Sequence, residues 1–173
     1  MRFKVWTKSS FFDEDDFSTL CKFIPSVKDM KVQMNKDYKR NNFTFPLSHQ
    51  IHDLLSKYKD AFTALLGIPV TLQKMVDCRL YKQGEFMEWH RDYEFCSTTP
   101  DINPIFEVVV TLINTSDSLT EYQDENSREI VSLATKPNDC MILCRQGVKH
   151  RVTPVTKGER WILKFQLWHK GTI

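Results

Sequence analysis

Two histidines and one aspartate have the types and spacing of a metal site in this chain of 173 residues. His90 and Asp92 lie two positions apart, and His150 follows much later in the chain. Residues two apart on a strand point to the same side, so His90 and Asp92 can bind one ion together. Two imidazoles and one carboxylate suit iron(II), and they leave three coordination positions open for a co-substrate and oxygen. These three residues are therefore the predicted metal ligands and the predicted catalytic centre.

Arg160 is the second residue whose position suggests chemistry. It lies ten residues after His150, and the intervening sequence predicts a strand, a turn at Lys157-Gly158 and a second strand. Such a pair of strands would bring His150 and Arg160 close together. A planar guanidinium binds a carboxylate through two parallel hydrogen bonds, so Arg160 is the predicted cation for a dicarboxylate co-substrate.

Length and composition indicate an ordinary globular protein. Hydrophobic residues make up 41% of the chain and charged residues 27%, and we expect residues 1–173 to form a single domain. The net charge of +2 produces no strong overall field toward nucleic acid. The five cysteines form an odd set without Cys-x-x-Cys spacing, which favours a reducing compartment. No signal peptide or membrane-length apolar run is visible, so we expect a cytoplasmic protein with no membrane partner.

The first third of the chain predicts two helices. Ser10 with Asp13 resembles a capping box for a first helix, which ends before Pro25. Ser48 is the expected cap of a second helix, which ends at Gly67. The apolar stripe of this second helix consists of Ile51, Leu54, Leu55, Tyr58, Phe62, Leu65 and Leu66. Stripes of this kind predict that both helices pack on a sheet.

From Val70 onward the pattern changes to strands. The predicted strands are 72–81, Phe106–Asn114, Ile130–Ala134, Cys140–Cys144, Val148–Val155 and Arg160–Trp168. The basic stretch 31–42 is interpreted as a solvated loop, and the polar stretches 93–104 and 115–128 as long loops that decide the substrate. Helices followed by a run of strands predict an α+β fold built on a sandwich or barrel.

Two motifs resemble those of a known family. Tyr81, Gly84, His90 and Asp92 form the pattern Tyr-x-x-Gly-x-x-x-x-x-His-x-Asp, and residues 136–161 read KPNDCMILCRQGVKHRVTPVTKGERW. In these segments the chain resembles the Fe(II)/2-oxoglutarate-dependent dioxygenases, and within them the prolyl 4-hydroxylase-like group. The resemblance covers roughly residues 11–168, and its specific motifs lie in 81–92 and 136–168.

The resemblance implies a fold, a cofactor set and an activity. The implied fold is a double-stranded β-helix, or jelly roll, with the N-terminal helices packed on its outside. His90, Asp92 and His150 would bind iron(II), Arg160 would bind 2-oxoglutarate, and Tyr81 would contact the same co-substrate. The reaction would use oxygen, with ascorbate as an optional addition, and release succinate and CO2. The implied substrate is a protein or peptide side chain, with proline favoured.

The chain departs from the family pattern beside the predicted site. Family members commonly carry a Gly-Gly-Glu-Thr-like turn where this chain has Ser118-Leu119, which weakens the case for a prolyl peptide. Alternation along the last strand also places Lys164 on the same face as Arg160. We hypothesise that Lys164 touches co-substrate or substrate; the alternative is that the strand twists this lysine out to solvent.

Three alternative functions share parts of this pattern. A nucleic-acid demethylase of the AlkB type has the same triad and arginine, but it usually carries a second arginine where this chain has Gln166. A cupin-like metalloprotein would need no dicarboxylate anchor, so Arg160 argues against it. A non-catalytic binding module that keeps the barrel would be expected to lose a metal ligand, and this chain retains all three.

Overall fold

The computed structural model describes residues 5–92, 105–124, 126–144 and 147–169. Within these ranges the helices are α1 (Glu14–Lys22), α2 (Ile51–Lys57) and α3 (Lys59–Leu66), with a 3-10 turn at Val27–Asp29. The strands are β1 (Val5–Lys8), β2 (Lys31–Met34), β3 (Tyr38–Thr44), β4 (Val70–Tyr81), β5 (Phe86–His90), β6 (Ile105–Asn114), β7 (Thr120–Gln123), β8 (Ile130–Leu133), β9 (Cys140–Cys144), β10 (His150–Val152) and β11 (Arg160–His169).

The strands form one continuous hydrogen-bonded path in the order β1-β9-β6-β11-β4-β3-β5-β10-β7-β8, with β2 paired to β3. Every strand pairing within the described ranges is antiparallel. The path curls back on itself, because Arg160 on β11 donates a hydrogen bond to Thr120 on β7, although four other strands lie between them in the order. This curled antiparallel sheet is consistent with the expected jelly-roll core.

The two faces of the long strands have opposite character. We call one the helix-side face; it carries Val76, Cys78, Leu80, Val108, Val110, Leu163 and Phe165, which pack in one buried cluster with residues of α1, α2 and α3. The other, the site-side face, carries Asp77, Arg79, Tyr81, Glu107, Arg160, Ile162 and Lys164. Because neighbouring residues of a strand point to opposite sides, each long strand contributes to both faces.

The helices differ in detail from the predicted ones. Asp13, not Ser10, caps α1, because its side chain accepts a hydrogen bond from the Asp16 backbone N–H. The predicted second helix is divided at Tyr58 into α2 and α3, and the predicted cap Ser48 does not serve either of them. Gly67 ends α3 in a left-handed conformation with φ 71°, as expected for a C-terminal glycine.

The expected loop at 31–42 is wrong, because this segment holds β2 and most of β3. Its strand pattern is hidden because the buried residues are polar: Arg40, Asn41 and Asn42 are all less than 9% exposed. Each finds specific partners, as when the Asn41 amide donates to both carboxylate oxygens of Glu85. The sequence reading also missed β1 at the edge of the sheet.

The two other expected loops have different outcomes. Residues 115–128 contain the four-residue strand β7, which divides the expected long loop into two shorter connections. The stretch 93–104 lies outside the described residues. In the part of the chain that the structure describes, none of the helices has the length and apolarity that crossing a membrane requires.

Candidate metal centre

Antiparallel pairing brings the two candidate histidines side by side. His90 is the last residue of β5 and His150 is the first of β10, and the two are directly opposite each other in the register. Their ring centroids are 4.2 Å apart. Asp92 follows two residues after His90, and its carboxylate lies between the two imidazoles.

Each imidazole is held in an orientation that suits a metal. His90 donates its Nδ1–H to the backbone oxygen of Glu88 at 2.7 Å, and His150 donates to that of Val148 at 3.0 Å. A neutral imidazole that donates from Nδ1 carries its lone pair on Nε2, which is then available as a ligand. Both backbone contacts therefore fix the tautomer and turn Nε2 toward Asp92.

The ligand atoms converge on one point. The Nε2 atom of His90 lies 3.5 Å from Oδ1 of Asp92, and that of His150 lies 3.5 Å from Oδ2. One ligand atom from each of the three residues falls within 4.8 Å of the other two. Ligands at right angles around an ion with bonds of about 2.1 Å would stand about 3 Å apart, so small movements would complete a site. The donor set of two nitrogens and one oxygen suits iron(II).

Burial and charge prepare this centre for a cation. Burial lowers the pKa of His150 to about 4, against the attraction of Asp92, so the imidazole is neutral at physiological pH. Burial would by itself raise the pKa of Asp92, but Lys164 and the two imidazoles hold it well below its usual range. The site thus presents an ionised Asp92 carboxylate and a neutral His150 imidazole, the forms of these groups that bind metal.

Lys164 lies in the interior and contacts the metal centre. Its ammonium donates to Oδ1 of Asp92 at 2.9 Å and lies 3.5 Å from Oε2 of Glu107. The predicted alternative, in which this lysine turns to solvent, is wrong: the residue is 9% exposed. Its described contacts are two carboxylates, while contact with a co-substrate or substrate stays a prediction.

Arg160 is a buried cation with unused hydrogen-bond donors. It is 1% exposed and donates from Nη2 to Thr120 Oγ1 at 2.7 Å. Its Nε and Nη1 atoms have no hydrogen-bond partner, and the described residues include no carboxylate in ion-pair contact with it. Burial lowers its pKa to about 10, so it stays protonated at neutral pH. A buried donor that makes no hydrogen bond lowers stability, and a bound carboxylate would accept hydrogen bonds from both of these donors.

Tyr81 lies opposite Arg160 in the pairing of β4 with β11 and is 1% exposed. Its hydroxyl is 4.0 Å from Met87 Sδ, a weak acceptor. Burial would raise the pKa of this phenol, but Arg40, Arg79, Lys164 and Arg160 together lower it. The position is therefore an interior one among cations, and its role toward the co-substrate stays a prediction.

The turn before Arg160 is tied to the segment where the family pattern differs. Asp117 accepts hydrogen bonds from the backbone N–H groups of Thr156 and Lys157 and from the Thr156 hydroxyl. Those bonds lower the pKa of Asp117 to about 2. Gly158 has φ 72°, and a Cβ there would overlap the backbone oxygen of Thr115. The strand-to-loop connection beside the site is thus well defined without the glycines of the family pattern.

A cavity of about 400 Å³ opens beside Asp92. Of the three candidate metal ligands, Asp92 lines this cavity. The other lining residues are the polar or charged Gln33, Tyr38, Arg40, Asp77, Arg79, Glu107, Lys164 and Gln166 and the apolar Met75, Met87 and Phe165. Sequence reasoning missed most polar residues of the cavity, among them Arg40, Arg79 and Glu107, and it also missed Thr120 beside Arg160. Glu107 could have been identified from the sequence, because it is the one acidic residue in the otherwise mostly apolar segment 106–114.

No protein-family model matches the chain, and no curated protein sequence matches it. Many solved structures match its fold. A prolyl-4-hydroxylase from Pseudomonas putida is 13% identical with a TM-score of 0.73, and the match covers 98% of this chain and 94% of that one. A prolyl hydroxylase from Trichoplax adhaerens, in complex with a peptide fragment of hypoxia inducible factor, is 12% identical with a TM-score of 0.71, covering 95% and 82%.

A third match has a different activity. The non-haem α-ketoglutarate-dependent epimerase SnoN from nogalamycin biosynthesis is 9% identical with a TM-score of 0.73, and the match covers 97% of this chain and 77% of that one. At these identities the likeness establishes the fold. The predicted resemblance to prolyl hydroxylases and other 2-oxoglutarate- and iron-dependent oxygenases is therefore confirmed for the fold.

Proposed function

We propose that this protein is an iron(II)- and 2-oxoglutarate-dependent dioxygenase that hydroxylates a substrate and releases succinate and CO2. The observation that carries the proposal is the pair of unpartnered, buried Arg160 donors on the same face as the His90, Asp92 and His150 cluster. A metal cluster alone would fit many metalloproteins. A buried guanidinium that lacks an acceptor needs a second, anionic ligand, and a dicarboxylate that chelates the metal meets that need.

Each residue of the site has a distinct task in this proposal. His90, Asp92 and His150 hold the metal on one face, and Lys164 fixes the orientation of Asp92 through Oδ1. Arg160 binds the distal carboxylate of 2-oxoglutarate, with Tyr81 beside it. When bound, iron(II), 2-oxoglutarate and oxygen supply the oxidation itself. His90, Asp92, His150 and Arg160 are all less than 9% exposed, so these four side chains have little contact with bulk solvent.

The substrate that we propose first is a protein or peptide side chain, with proline as the first residue to test. The support is the likeness of the fold to two prolyl hydroxylases, one of which holds a peptide. The epimerase of the same fold shows that the fold does not determine the substrate.

A nucleic-acid demethylase of the AlkB type is the second candidate. Gln166 occupies the place of that group's second arginine, and its amide donates to Glu107 Oε1 at 2.6 Å. This arrangement disfavours the second candidate, because a neutral amide held by a carboxylate cannot replace a cation that binds next to the metal.

The proposal extends to the organisation of the whole chain. We propose that residues 1–173 act as one domain in which α1, α2 and α3 form an outer layer on the jelly roll, since their apolar residues pack on the helix-side face. A reducing, cytoplasmic location is proposed because Cys21, Cys78 and Cys140 are free thiols, the last two of them buried.

The test is calorimetric titration of 2-oxoglutarate without oxygen, with Mn(II) in place of iron(II). We expect wild-type protein to bind 2-oxoglutarate only when metal is present. Arg160→Ala should weaken this binding by about 100-fold, because it removes charge-assisted hydrogen bonds in a buried site. Arg151→Ala serves as the matched control: this arginine pairs with Glu121 at 2.6 Å and has no assigned role in the site.

The two possible negative results have different meanings. If folded, metal-loaded wild-type protein fails to bind 2-oxoglutarate, the dioxygenase proposal is wrong and a cupin-like or binding function replaces it. If binding occurs but Arg160→Ala leaves it unchanged, the co-substrate lies elsewhere in the barrel. With binding established, succinate release in the presence of prolyl peptides and then of methylated oligonucleotides separates the two candidate substrates.

A further inference from the structure

Three cations and three carboxylates line the cavity beside Asp92, but their ion pairs among the described residues leave one cation without a carboxylate. Lys164 contacts both Asp92 and Glu107, at 2.9 and 3.5 Å. Arg79 Nη2 lies 3.6 Å from Asp77 Oδ2. Those contacts account for all three carboxylates that line the cavity.

Arg40 is the remaining cation. It is 8% exposed, and the described residues include no acid in ion-pair contact with it. Its Nε donates to the Gln33 side-chain oxygen at 3.2 Å, and its Nη1 points at the thioether sulfur of Met87 at 3.0 Å. A thioether is a poor acceptor for a guanidinium, and the other side chains that interact with this group by hydrogen bonds are those of Gln33 and Tyr81, neither of which is a carboxylate.

The position of Arg40 is nevertheless well determined. Its guanidinium stacks on the Tyr38 ring, with 4.5 Å between its central carbon and the ring centroid. Burial lowers the pKa of Arg40, and the nearby Arg79 lowers it further, which places two like charges close together at one cavity wall. Arg79 contributes a buried Nε without a hydrogen-bond partner. Arg79 already has Asp77 beside it, so the repulsion falls on Arg40, and an anion placed between the two guanidiniums would relieve it.

We infer that Arg40 and Arg79 form a carboxylate-binding subsite that recognises a carboxylate group of the substrate. The same cavity reaches Asp92, so a substrate held by its carboxylate at this wall extends toward the metal centre. A carboxylate offers planar oxygens that accept parallel, charge-assisted hydrogen bonds from guanidinium groups.

The inference narrows the substrate class. A volume of about 400 Å³ accommodates an amino acid or a short segment of peptide. The polar walls favour a substrate with a free or side-chain carboxylate near the carbon that is oxidised, over an uncharged prolyl ring alone. This specificity rests on the proposed dioxygenase function, but the anion subsite itself can be measured without turnover.

The experiment uses two probes that differ only in charge, N-acetylglycine and its neutral amide, N-acetylglycinamide. Binding is measured by calorimetry and by the shift of the melting temperature at matched ionic strength. The protein is loaded with Mn(II) and with the unreactive 2-oxoglutarate analogue N-oxalylglycine, so that Arg160 and the metal are occupied. We expect the acid to bind at least about tenfold more tightly than the amide, since a charged acceptor strengthens each hydrogen bond.

Variants assign the binding to the two arginines. Arg40→Gln should remove the preference for the acid, and Arg79→Gln should weaken it, whereas both variants should still bind N-oxalylglycine. Lys39→Gln is the matched control, because it removes the same charge from the adjacent residue of β3, which points to the other face. Arg40→Lys should recover only part of the preference, because an ammonium lacks the planar fork.

The outcomes separate the subsite from the proposed function. If the acid and the amide bind wild-type protein equally, or if Arg40→Gln keeps the preference for the acid, the subsite is wrong. If N-oxalylglycine does not bind, the dioxygenase proposal fails on its own. The same pair of probes is then titrated into metal-free protein, where a preference lost in Arg40→Gln still supports the subsite.

Discussion

The two faces of β11 hold the molecule together in different ways. Leu163 is 1% exposed and packs on the helix-side face among aliphatic and aromatic side chains. Its neighbour Lys164 is almost as buried, yet it lies between two carboxylates on the site-side face. One strand therefore carries stabilising packing and candidate chemistry on alternate residues.

The contrast between the two faces explains how a small barrel can contain a polar interior. The site-side face gains little from apolar contact, and its buried charges carry a desolvation cost. The helix-side face offsets that cost through close packing with α1, α2 and α3. A slip of one residue in the register would exchange the two faces, so the antiparallel pairing of β11 with β4 and β6 is essential to the site.

The largest expected effect is the loss of metal binding when a site-side ligand is removed. His150→Ala should weaken Mn(II) binding by more than about 100-fold, a larger effect than removing an outer partner of a ligand. Mn(II) electron paramagnetic resonance measures the bound fraction. His52→Ala on α2 is the control and should bind Mn(II) as wild type does, while equal loss in both variants would contradict the assignment.

The opposite result is expected on the helix-side face. Leu163→Ala should lower the free energy of unfolding by about 2–5 kcal/mol, because it leaves a cavity in a closely packed cluster. Denaturant unfolding measures this loss, and Mn(II) affinity below the unfolding transition should stay within twofold of wild type. A loss below about 1 kcal/mol would show that the packing on this face is looser than the structure indicates.

Lys164→Met tests how much free energy the buried carboxylates of the site-side face cost when they lack a cation. It leaves Asp92 and Glu107 without their shared cation, so the metal-free variant should lose about 3 kcal/mol of stability. Added Mn(II) supplies a replacement cation at Asp92, and its stabilising effect should therefore be greater in the variant than in wild type. Thermal unfolding with and without Mn(II) measures both quantities.

The matched control for Lys164 is an exposed ion pair. Lys57 lies 3.3 Å from Asp16, and its side chain is 63% exposed. Lys57→Met should change stability by less than about 1 kcal/mol and leave the response to Mn(II) as it is. If Lys164→Met behaves in the same way, the charges on the site-side face are better solvated than their burial implies.

Two glycines with the same backbone conformation give the smallest effects. Gly158→Ala at the turn before Arg160 should cost roughly 2–3 kcal/mol, because the added Cβ overlaps Thr115 in addition to the strain of a positive φ. Gly67→Ala at the end of α3 should cost only about 1 kcal/mol, since nothing lies near its Cβ. Of the two variants, only Gly158→Ala should also weaken 2-oxoglutarate binding. Unfolding curves measure the stability of both variants, and calorimetry measures their affinity for 2-oxoglutarate.

Hydrophobic alternation predicted the strands whose helix-side residues are apolar. The bounds of β4, β6, β8, β9 and β11 agree with the sequence reading within about two residues. It failed for β3 and β7, because β3 buries Arg40, Asn41 and Asn42 and β7 has the sequence TEYQ, in which three of four residues are polar. A strand stabilised by hydrogen bonds to buried polar groups has no apolar period to detect.

The site was predicted in its composition but not in its contacts. Spacing identified His90, Asp92, His150 and Arg160 as candidates, and the structure brings the first three together, while their binding of iron stays a prediction. The contact of Lys164 with Asp92 joins residues far apart in the chain, so it depends on how the whole sheet curls. Patterns in the local sequence therefore cannot predict such long-range contacts.

The most direct test of the central claim is a crystal structure of the protein grown with Mn(II) and 2-oxoglutarate in the absence of oxygen, with anomalous diffraction to locate the metal. We expect one anomalous peak, bonded to His90 Nε2, Asp92 and His150 Nε2. We also expect 2-oxoglutarate to chelate that metal, with its distal carboxylate on the Arg160 guanidinium. A metal bound at other residues, or a dicarboxylate that leaves Arg160 without a partner, would show that the proposed site is wrong.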